Sequence, residues 1–490
     1  MNKPICTSSQ RENWTFEPHM KGRMGMLKVF VMAFLFAVFA QVAVAGRAAV
    51  FDVRDFGAKG DGIAKDTASV QRALDDCAAA GGGRVVVPPG TYVIGSVFLG
   101  DGTDLHLEAG AVLLGSPDLA DYNADDAYPQ NHGSKHEGWS AKHLVLAIGK
   151  ERVSITGCGT IDGNARAFFA DKPRWAGAIC WRDGAINARD AEHQGRPGQE
   201  IVFIESKDVV VRDVTLRDMA CWSCFFHGCE NVTVGGVTVR NDLRYLNTDG
   251  FDVDSCRNVS IGDCRITTGD DAIAIRGSPA RLTDPSRVCE NVRVSNVVCR
   301  VSADGVRVGV GDGEIRNVRV SDMTILRAGR GLHVQSCYGA NPKKGVDISD
   351  VVFSRIRIRD AVTPILIGSG STNCKAQIRG IRFEDVDAEA LAPVTVVGGG
   401  IARPSGISFA NLRFRVLPSS KPIPPDAEAG KLSDAEPAAF RLQGSGSVSF
   451  ENSVLSWDPE VQAGFRKAFS VIDAEQPSVD VNSRIADRGN

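Results

Sequence analysis

The sequence lacks a surplus of charge of either sign. Lys and Arg together number 56, Asp and Glu together number 59, and the basic residues are scattered along the chain. A protein that binds nucleic acid concentrates its basic residues in a patch or a stripe. The sequence therefore predicts no nucleic-acid partner. Its 43% hydrophobic and 23% charged residues are typical of an ordinary folded protein.

Apolar runs long enough to cross a membrane are missing as well. An apolar run at residues 29–40 is shorter than the about 20 residues that a spanning helix needs. Basic residues precede this run, and Ala43-Val44-Ala45 follow it, which is the order found in a cleaved export signal. We expect residues 1–45 to be an N-terminal extension with a signal peptide. The mature protein is then periplasmic or secreted, without stable membrane insertion.

The pattern of cysteines and histidines lacks what a zinc site needs. Cys221 and Cys224 form one Cys-x-x-Cys pair, with Cys229 close by, but no second pair and no suitably spaced histidines accompany them. The sequence therefore predicts no metal and no cofactor. Export makes disulfides permissible, so we expect the cysteines to fill core positions or to form one or two disulfides.

What the chain does contain is 52 glycines and a loose internal repeat. Short segments of alternating apolar and polar residues recur every roughly 20 to 40 residues, for example after Asn231, Asn258 and Asn291. Such alternation predicts strands with one buried face. The repeat length predicts an all-β fold, a single-stranded right-handed parallel β-helix, whereas propeller blades are longer and a β-sandwich does not explain the recurring Asn-Val register. We expect the asparagines to stack and to bond the unpaired backbone of the next coil.

One early segment has helical periodicity. It predicts an amphipathic helix over residues 67–80, capped by Asp66 or Thr67 and ended by the glycines at 81–83. The apolar positions that carry this prediction are Val70, Ala73, Leu74 and Cys77. We expect the helix to cover the open N-terminal end of the solenoid. Since no domain break is evident, residues 46–490 are predicted to form one β-helix domain and a monomer.

The densest group of carboxylates lies in two neighbouring repeats. An Asn-Thr-Asp motif ends at Asp249, and a Gly-Asp-Asp motif contains Asp270 and Asp271. Asp249 and Asp270 are about one coil apart, so we expect them on neighbouring strands with backbones about 5 Å apart. These carboxylates are predicted to cluster on the solvent face of the solenoid. Gly250 and Gly269 are expected to allow a ligand to approach the backbone closely.

Two kinds of chemistry use such a cluster. Glycoside hydrolysis needs one protonated carboxyl to protonate the leaving oxygen and one carboxylate to activate water, and crowding of negative charge raises the pKa of one member. Clustered carboxylates also bind calcium, so a calcium-dependent polysaccharide lyase is an alternative. A non-catalytic exported β-helix that binds carbohydrate is another. We favour a glycoside hydrolase with Asp249, Asp270 and Asp271 as its catalytic residues.

Several motifs, taken in order, resemble a known family. They are FDVRDFGAKGDG at residues 51–62, VPPGTY at 87–92, GCGTIDG at 157–163, and the Asn-Thr-Asp and Gly-Asp-Asp motifs. In this order they resemble glycoside hydrolase family 28, the polygalacturonase- and rhamnogalacturonase-like enzymes that degrade pectin. The resemblance extends from about residue 51 to at least residue 334, which is most of the mature chain.

The resemblance implies an inverting glycoside hydrolase that acts on a pectic polysaccharide or oligosaccharide. By position, Asp270 is the general acid, and Asp249 and Asp271 hold and deprotonate the attacking water. Inversion requires the acid and the base to stand about 6.5 to 9.5 Å apart. No metal is required.

Two positions depart from the family pattern. The family's Gly-His-Gly is replaced by residues 302–305, which contain Asp304 and no histidine. The family's Arg-Ile-Lys, which binds a galacturonate carboxylate, is replaced by His333-Val334-Gln335. Since carboxylates are held best by Arg or Lys, we predict a substrate other than plain homogalacturonan, such as a rhamnogalacturonan, a mixed backbone or a neutral-sugar linkage.

Other residues near these motifs are candidates for substrate contact. Arg276 and Arg307 are expected to supply positive charge from another direction. His227, near Trp222, is expected to pack rather than to line the groove. The full set of predicted substrate-binding residues is Asn247, Arg276, Asp304, Arg307, His333 and Gln335.

Overall fold

The computed structural model describes residues 49–174, 184–188, 195–338, 344–371, 373–399, 401–420, 423, 437–461 and 465–489. The extension and signal peptide predicted at residues 1–45 lie outside these residues. No helix in this part of the chain is long and apolar enough to cross a membrane.

The strands pair in parallel with the strands one coil earlier and one coil later, so the chain forms the predicted right-handed parallel β-helix. Each complete coil contributes a strand to three sheets, which we call sheets 1, 2 and 3. Sheet 1 contains β1 (Val50–Asp52), β3 (Gly83–Val87), β6 (Thr103–Leu107), β9 (Glu151–Gly157), β14 (Lys207–Arg212), β17 (Glu230–Gly235), β20 (Arg257–Gly262), β30 (Ser405–Ala410), β33 (Val448–Glu451) and β36 (Ser478–Val479).

Sheet 2 follows sheet 1 within each coil. It contains β2 (Asp61–Lys65), β4 (Gly90–Ile94), β7 (Ala111–Gly115), β10 (Thr160–Asp162), β15 (Thr215–Arg217), β18 (Thr238–Arg240), β21 (Arg265–Thr268), β31 (Arg413–Val416) and β34 (Val454–Trp457). Four long strands bend from sheet 1 into sheet 2, and β27 continues into sheet 3. They are β23 (Cys289–Val301), β25 (Glu314–Ile325), β27 (Asp347–Gly368) and β28 (Ile378–Ala390).

Sheet 3 completes the coil. It contains β5 (Val97–Phe98), β8 (Val145–Ile148), β13 (Ile201–Ile204), β16 (Cys224–His227), β19 (Phe251–Asp254), β22 (Ile273–Gly277), β24 (Asp304–Gly311), β26 (Ala328–Gln335), β29 (Val394–Val397), β32 (Ala438–Gln443) and β35 (Lys467–Ile472). Outside the coils, β11 (Phe169–Arg174) and β12 (Ala185–Ala188) form an antiparallel pair. Short 3-10 turns occur at Leu119–Asp121, Ala165–Ala167 and Pro279–Arg281.

The core is the interior of the solenoid, filled by the inward side chains of all three sheets. Because equivalent positions of successive coils lie above one another, residues of the same type pack together in columns. Phe353, Phe383, Phe409 and Phe450 form one such column, with ring centroids 4.8–5.2 Å apart and nearly parallel planes. Offset stacking of this kind stabilises the core beyond the burial of apolar area alone.

The predicted asparagine stack is present in sheet 1, but its hydrogen bonds differ from the prediction. Asn231, Asn258, Asn291 and Asn317 all have φ between 50 and 59°, a left-handed conformation that asparagine tolerates. The Nδ2 of each one donates to the side-chain oxygen of its counterpart one coil earlier, beginning with Asp208. A carboxamide both donates and accepts, so the bonds run from side chain to side chain rather than to backbone.

The predicted helix is α1 (Thr67–Ala79), and the four expected apolar residues are its buried face. That face joins the core of the first coils. The capping prediction for Asp66 is wrong in detail. Asp66 occupies the N-cap position without making a cap bond, because its carboxylate accepts the Lys59 and Gly60 amides at 2.7 and 3.0 Å. Gly81 and Gly82 follow the helix end with φ of 89 and 110°.

The cysteines largely fill the core, as expected. In the described part of the chain, Cys337 and Cys374 form a disulfide with an S–S distance of 2.09 Å. Cys221, Cys224 and Cys229 are buried free thiols.

Candidate active site

The three predicted catalytic aspartates lie where sheet 2 connects to sheet 3. Asp249 stands two residues before β19 and Asp271 two residues before β22. Since Phe251 pairs with Ile273, Asp249 and Asp270 lie on neighbouring coils, as expected, and Asp271 is the direct neighbour of Asp249. One oxygen of each of the three carboxyls lies within 4.8 Å of the other two. We call these residues the carboxylate trio.

The trio lies on the outer face of the solenoid but is shielded from solvent. Asp249 is 2% exposed and Asp271 is 3% exposed, whereas Asp270 is half-buried. The expectation of a solvated cluster is therefore wrong for two of its members. Asp270 is the member that an incoming molecule reaches most readily.

The two glycines beside the trio are required by backbone packing. A Cβ on Gly250 lies 2.4 Å from the carbonyl oxygen of Ala272, and a Cβ on Gly269 lies 2.0 Å from that of Tyr245. Both contacts are closer than any side chain tolerates. The close approach predicted at these positions is thus to the chain's own backbone.

Each carboxyl of the trio has different partners. Asp270 Oδ2 accepts the Asn247 amide at 2.9 Å. Asp271 accepts the Asp304 amide at 3.0 Å on Oδ1, and its Oδ2 lies 3.1 Å from Arg307 Nε. Asp249 makes the weakest polar contacts of the three. Its Oδ2 lies 3.5 Å from an arginine nitrogen, and its buried Oδ1 has no hydrogen-bond partner in the described residues.

Burial raises the pKa of every member of the trio. Burial raises the pKa of Asp270 to about 6, although the hydrogen bond from Asn247 opposes the shift. Burial, followed by repulsion from neighbouring carboxylates, holds the pKa values of Asp249 and Asp271 well above the ordinary value. Because the three groups interact, their protons belong to the cluster as a whole. The cluster therefore retains a proton near neutral pH, as general acid catalysis requires.

Arg276 supports one side of the trio. Its Nε donates to Asp252 Oδ1 at 2.7 Å, and its Nη2 is the arginine nitrogen near Asp249. The guanidinium lies 4.2 Å from the ring centroid of Trp222. Arg276 was predicted to contact substrate. In the structure its side chain contacts Asp252, Asp249 and Trp222.

A buried ion network supports the other side. Asp304 is fully buried. Its carboxylate binds Arg307 Nε at 2.9 Å, Arg330 Nη1 at 2.8 Å and His333 Nδ1 at 2.8 Å. Burial opposes the charge on Asp304, but Arg330, His333 and Arg307 outweigh it and hold the pKa of Asp304 well below its usual value. Through Arg307, which also meets Asp271, this network orients the trio.

The remaining predicted contact residues occupy different environments. His333 has no exposed surface and Gln335 is 2% exposed, so both lie beneath the surface in β26. Asn247 is half-buried, and its Oδ1 accepts Arg196 Nη2 at 2.8 Å. His227 is 4% exposed and stacks on Phe225 at 5.3 Å, consistent with the expected packing role.

Several residues that build the site were not predicted. The sequence could have predicted Arg330 as a site residue, since strand alternation places it opposite Asp304 of β24. Asp252 follows Asp249 by three residues and points outward from β19. Arg196 could not have been predicted, because it lies in an irregular segment and donates hydrogen bonds to residues far along the chain.

The trio is also where a cation would bind, because it presents three converging carboxylate oxygens. Calcium takes six to eight oxygen ligands. Arg276 and Arg307 lie 3.5 and 3.1 Å from trio oxygens, so positive charge already occupies both flanks. The donor set therefore fits a calcium ion poorly, which disfavours the lyase alternative.

A cluster of carboxyl groups that retains a proton and is flanked by two arginines suits the hydrolysis of glycosidic bonds. The chain is a glycoside hydrolase. The sequence model of the glycosyl hydrolases family 28 matches residues 130–411, more than half of the chain. The chain belongs to this family, as the resemblance implied.

Similar proteins agree with this membership. A probable polygalacturonase of Vitis vinifera is 25% identical over 405 residues, covering 78% of this chain and 77% of that protein. Two solved structures share the fold. A family 28 exopolygalacturonase of Yersinia enterocolitica has a TM-score of 0.67 at 18% identity, covering 89% of this chain and 79% of that one. An exopolygalacturonase of Thermotoga maritima has a TM-score of 0.65 at 20% identity, covering 83% and 92%.

Proposed function

We propose that the protein hydrolyses a pectic polysaccharide or oligosaccharide, with the carboxylate trio as its catalytic centre. The convergence of Asp249, Asp270 and Asp271 within 4.8 Å carries the proposal. The names of its relatives, which are polygalacturonases and exopolygalacturonases, support a pectic substrate.

In this proposal Asp270 is the general acid. It is the most accessible member of the trio, and its pKa of about 6 lets it donate a proton to the leaving glycosidic oxygen in weakly acidic solution. Asp249 and Asp271 hold the attacking water and accept its proton. The three carboxyls share their protons, and the state that reacts is the one in which Asp270 carries the proton while Asp249 and Asp271 are ionised beside Arg276 and Arg307.

The proposed stereochemical outcome is inversion. It rests on family membership rather than on spacing, since the trio oxygens lie within 4.8 Å and inverting pairs usually stand about 6.5 to 9.5 Å apart. Proton NMR of the first product decides the matter. Appearance of the anomer opposite to that of the substrate supports inversion, and appearance of the same anomer contradicts it.

We further propose that the sugar on the leaving side is not held through free cations. The positions of the family's Arg and Lys hold His333 and Gln335, which are buried, and the nearby Arg307 and Arg330 both pair with Asp304. A galacturonate carboxylate gains little at such a subsite. A rhamnogalacturonan, a mixed backbone or a neutral-sugar linkage is therefore the preferred substrate.

The reaction class is tested by release of reducing ends from a panel of pectic substrates, with and without chelator. Hydrolysis predicts new reducing ends, no ultraviolet absorbance from unsaturated sugars, and no effect of chelator. A lyase gives absorbance and chelator sensitivity, and a binding protein gives neither product. Faster cleavage of homogalacturonan than of rhamnogalacturonan contradicts the subsite proposal alone.

The role of Asp270 is tested by Asp270→Asn. Removal of a general acid lowers turnover by roughly 100- to 10,000-fold. A matched control is Asp263→Asn, an exposed aspartate that lies before β21 whereas Asp270 lies after it, and whose side chain accepts Asn296 Nδ2 at 2.6 Å. Near-normal turnover in Asp270→Asn, with the control unchanged, contradicts the assignment.

Export is proposed from the N-terminal pattern. The chain is expected to be cleaved near Gly46, so that the mature protein is the β-helix domain of residues 46–490, recovered from the periplasm or the medium. N-terminal sequencing of the recovered protein tests this, and a start before residue 29 contradicts it.

A further inference from the structure

The outer face of sheet 2 carries a group of arginines close to the turn that leads to the trio. By register, Arg240 of β18, Thr267 of β21 and Arg300 of β23 are neighbours on three successive coils. Arg265 lies two residues before Thr267 in β21, so the two side chains point to the same outer face. Arg240, Arg265 and Arg300 are all exposed. We call these three residues the arginine patch.

The arginine patch has no acidic partner in the part of the chain that the structure describes. The acidic side chains close to it in sequence are bound elsewhere. Asp242 accepts Arg244 Nε at 3.0 Å and Nη2 at 2.7 Å, and Asp263 accepts Asn296 Nδ2 at 2.6 Å. The positive charge of the patch is therefore uncompensated among the described residues.

Several other arginines on the outer faces of sheets 1 and 2 are paired with acidic side chains. Like charges brought together on one face of a sheet repel each other, so the arginine patch does not stabilise the fold. Its guanidinium groups are exposed to an anion from solution. The paired arginines include Arg217 with Asp162 at 2.7 Å, Arg316 with Glu290 at 2.7 Å and Arg415 with Asp458 at 2.6 Å.

The side chains around the patch suit a sugar polymer. Thr238 is the strand partner of Arg265, and both Thr238 and Thr267 are half-buried, so hydroxyl groups lie between the arginines. Leu326 follows Ile325, the strand partner of Cys299, and therefore lies beside Arg300. It is 48% exposed. The face thus offers positive charge, hydroxyl groups and an apolar surface together.

We infer that the arginine patch is a second binding site, away from the carboxylate trio, for the carboxylates of an acidic pectic polysaccharide. The identity of the polymer rests on the proposed function. Arginine binds carboxylates through paired hydrogen bonds. Arg240 and Arg300 stand two strand spacings apart, about 10 Å, so they bind carboxylates of different sugars along one extended chain. A nucleic acid is disfavoured, because the basic residues outside the patch are scattered.

The position of the patch gives it a role in catalysis on long chains. Thr267 precedes Asp270 by three residues, so their backbones are no more than about 11 Å apart. A polymer that is held on sheet 2 stays close to the trio. Two linked sites raise the apparent affinity for a chain that reaches both, without any new contact at the trio. Oligosaccharides too short to reach both sites gain nothing.

Affinity electrophoresis of the full chain tests the site, with polygalacturonate or fully methyl-esterified pectin in the gel. The Asp270→Asn background limits cleavage during the run. We expect polygalacturonate to retard this protein, and esterified pectin, which carries no carboxylate charge, to leave its migration unchanged. Adding Arg240→Gln, Arg265→Gln and Arg300→Gln together should weaken binding to polygalacturonate by roughly tenfold or more, since linked contacts can contribute about 100-fold or more.

A second triple variant controls for net charge. Arg212→Gln, Arg293→Gln and Arg379→Gln remove the same charge from exposed positions of sheet 1, and this variant should bind polygalacturonate as the background protein does. Exposed substitutions of this kind change stability little, so both variants are expected to fold. Equal weakening in the two triple variants overturns the inference. So does binding of esterified pectin or duplex DNA as tight as that of polygalacturonate.

Kinetics of the active enzyme distinguish this inference from the proposed function. The patch variant should raise KM for a long acidic pectic polymer by a similar factor, keep kcat, and cleave a short pectic oligosaccharide at the native rate. An unchanged KM for the polymer overturns the inference and leaves the proposed function intact. If the native enzyme releases no reducing ends from any pectic substrate, the proposed function fails, and the electrophoresis still decides whether the patch binds polygalacturonate.

Discussion

Replacing Asp304 with Asn removes the carboxylate that lies between Arg307, Arg330 and His333. In the native protein, its carboxylate lies 2.8–2.9 Å from Arg307, Arg330 and His333, with no exposed surface. Removing one partner of a buried ion pair leaves an uncompensated charge and costs about 3–5 kcal/mol. Since proteins are stable by only about 5–15 kcal/mol, the loss is large. We expect Asp304→Asn to lower the urea midpoint of unfolding by an amount equivalent to this range.

A matched control separates burial from charge. Asp350 also pairs with an arginine through both oxygens, at 3.0 and 2.8 Å from Arg319 Nη2, but the two side chains are 46 and 35% exposed. Exposed pairs contribute about 0–1 kcal/mol. Asp350 also has a left-handed φ of 52°, which asparagine tolerates. Asp350→Asn is therefore expected to change the midpoint little.

The pH dependence gives a second check on the same variant. The pKa of Asp304 is depressed in the folded protein, so its stabilising contribution is present above the ordinary Asp pKa of about 4 and is lost only below it. The gap between the native protein and Asp304→Asn should thus persist from pH 8 to pH 5. If Asp304→Asn lowers the stability no more than Asp350→Asn does, with both unfolding curves followed by tryptophan fluorescence, then burial of the Asp304 network does not stabilise the fold.

Three further predictions concern the trio and the disulfide. Turnover should fall as pH rises above about 6, because Asp270 then loses the proton that it donates; a pH–rate profile that stays flat to pH 8 contradicts this. Asp249 has a raised pKa from burial and nearby carboxylates, so its ionisation destabilises the fold as pH rises; Asp249→Asn should raise the Tm at pH 7 but leave it unchanged at pH 4, and an equal shift at both pH values excludes the electrostatic cause. The Cys337–Cys374 disulfide closes a separation of 37 residues, so Cys374→Ser should cost about 2–4 kcal/mol, measured by urea unfolding; an unchanged midpoint shows that the bond constrains little.

Much of the fold could be predicted because local chemistry repeats from coil to coil. Alternation of apolar and polar residues identifies a strand without reference to its partners. The asparagines before the strands marked the corners, since few other residues accept a left-handed φ. The α1 helix was equally local, with Val70, Ala73, Leu74 and Cys77 on one face.

Only the site residues that belong to a sequence motif could be predicted. The Asn-Thr-Asp and Gly-Asp-Asp motifs located the trio on two neighbouring coils. Which of Asp270 and Asp271 lies directly beside Asp249 could not be predicted, because the register depends on the turn before β22. The partners of Asp304 depend on the stacking of three coils. Arg196 comes from an irregular segment, whose final position depends on hydrogen bonds to residues 50 or more positions away and leaves no periodic trace.

The side-chain ladder from Asp208 to Asn317 has a consequence for how such a chain can change length. Asn231, Asn258 and Asn291 each donate Nδ2 to the rung before and accept with Oδ1 from the rung after, so a duplicated asparagine turn finds matching partners on both sides. Growth or loss of whole turns at either end then leaves the stretch from β16 to β26 untouched. Solenoid length and reaction chemistry are in this way free to vary separately.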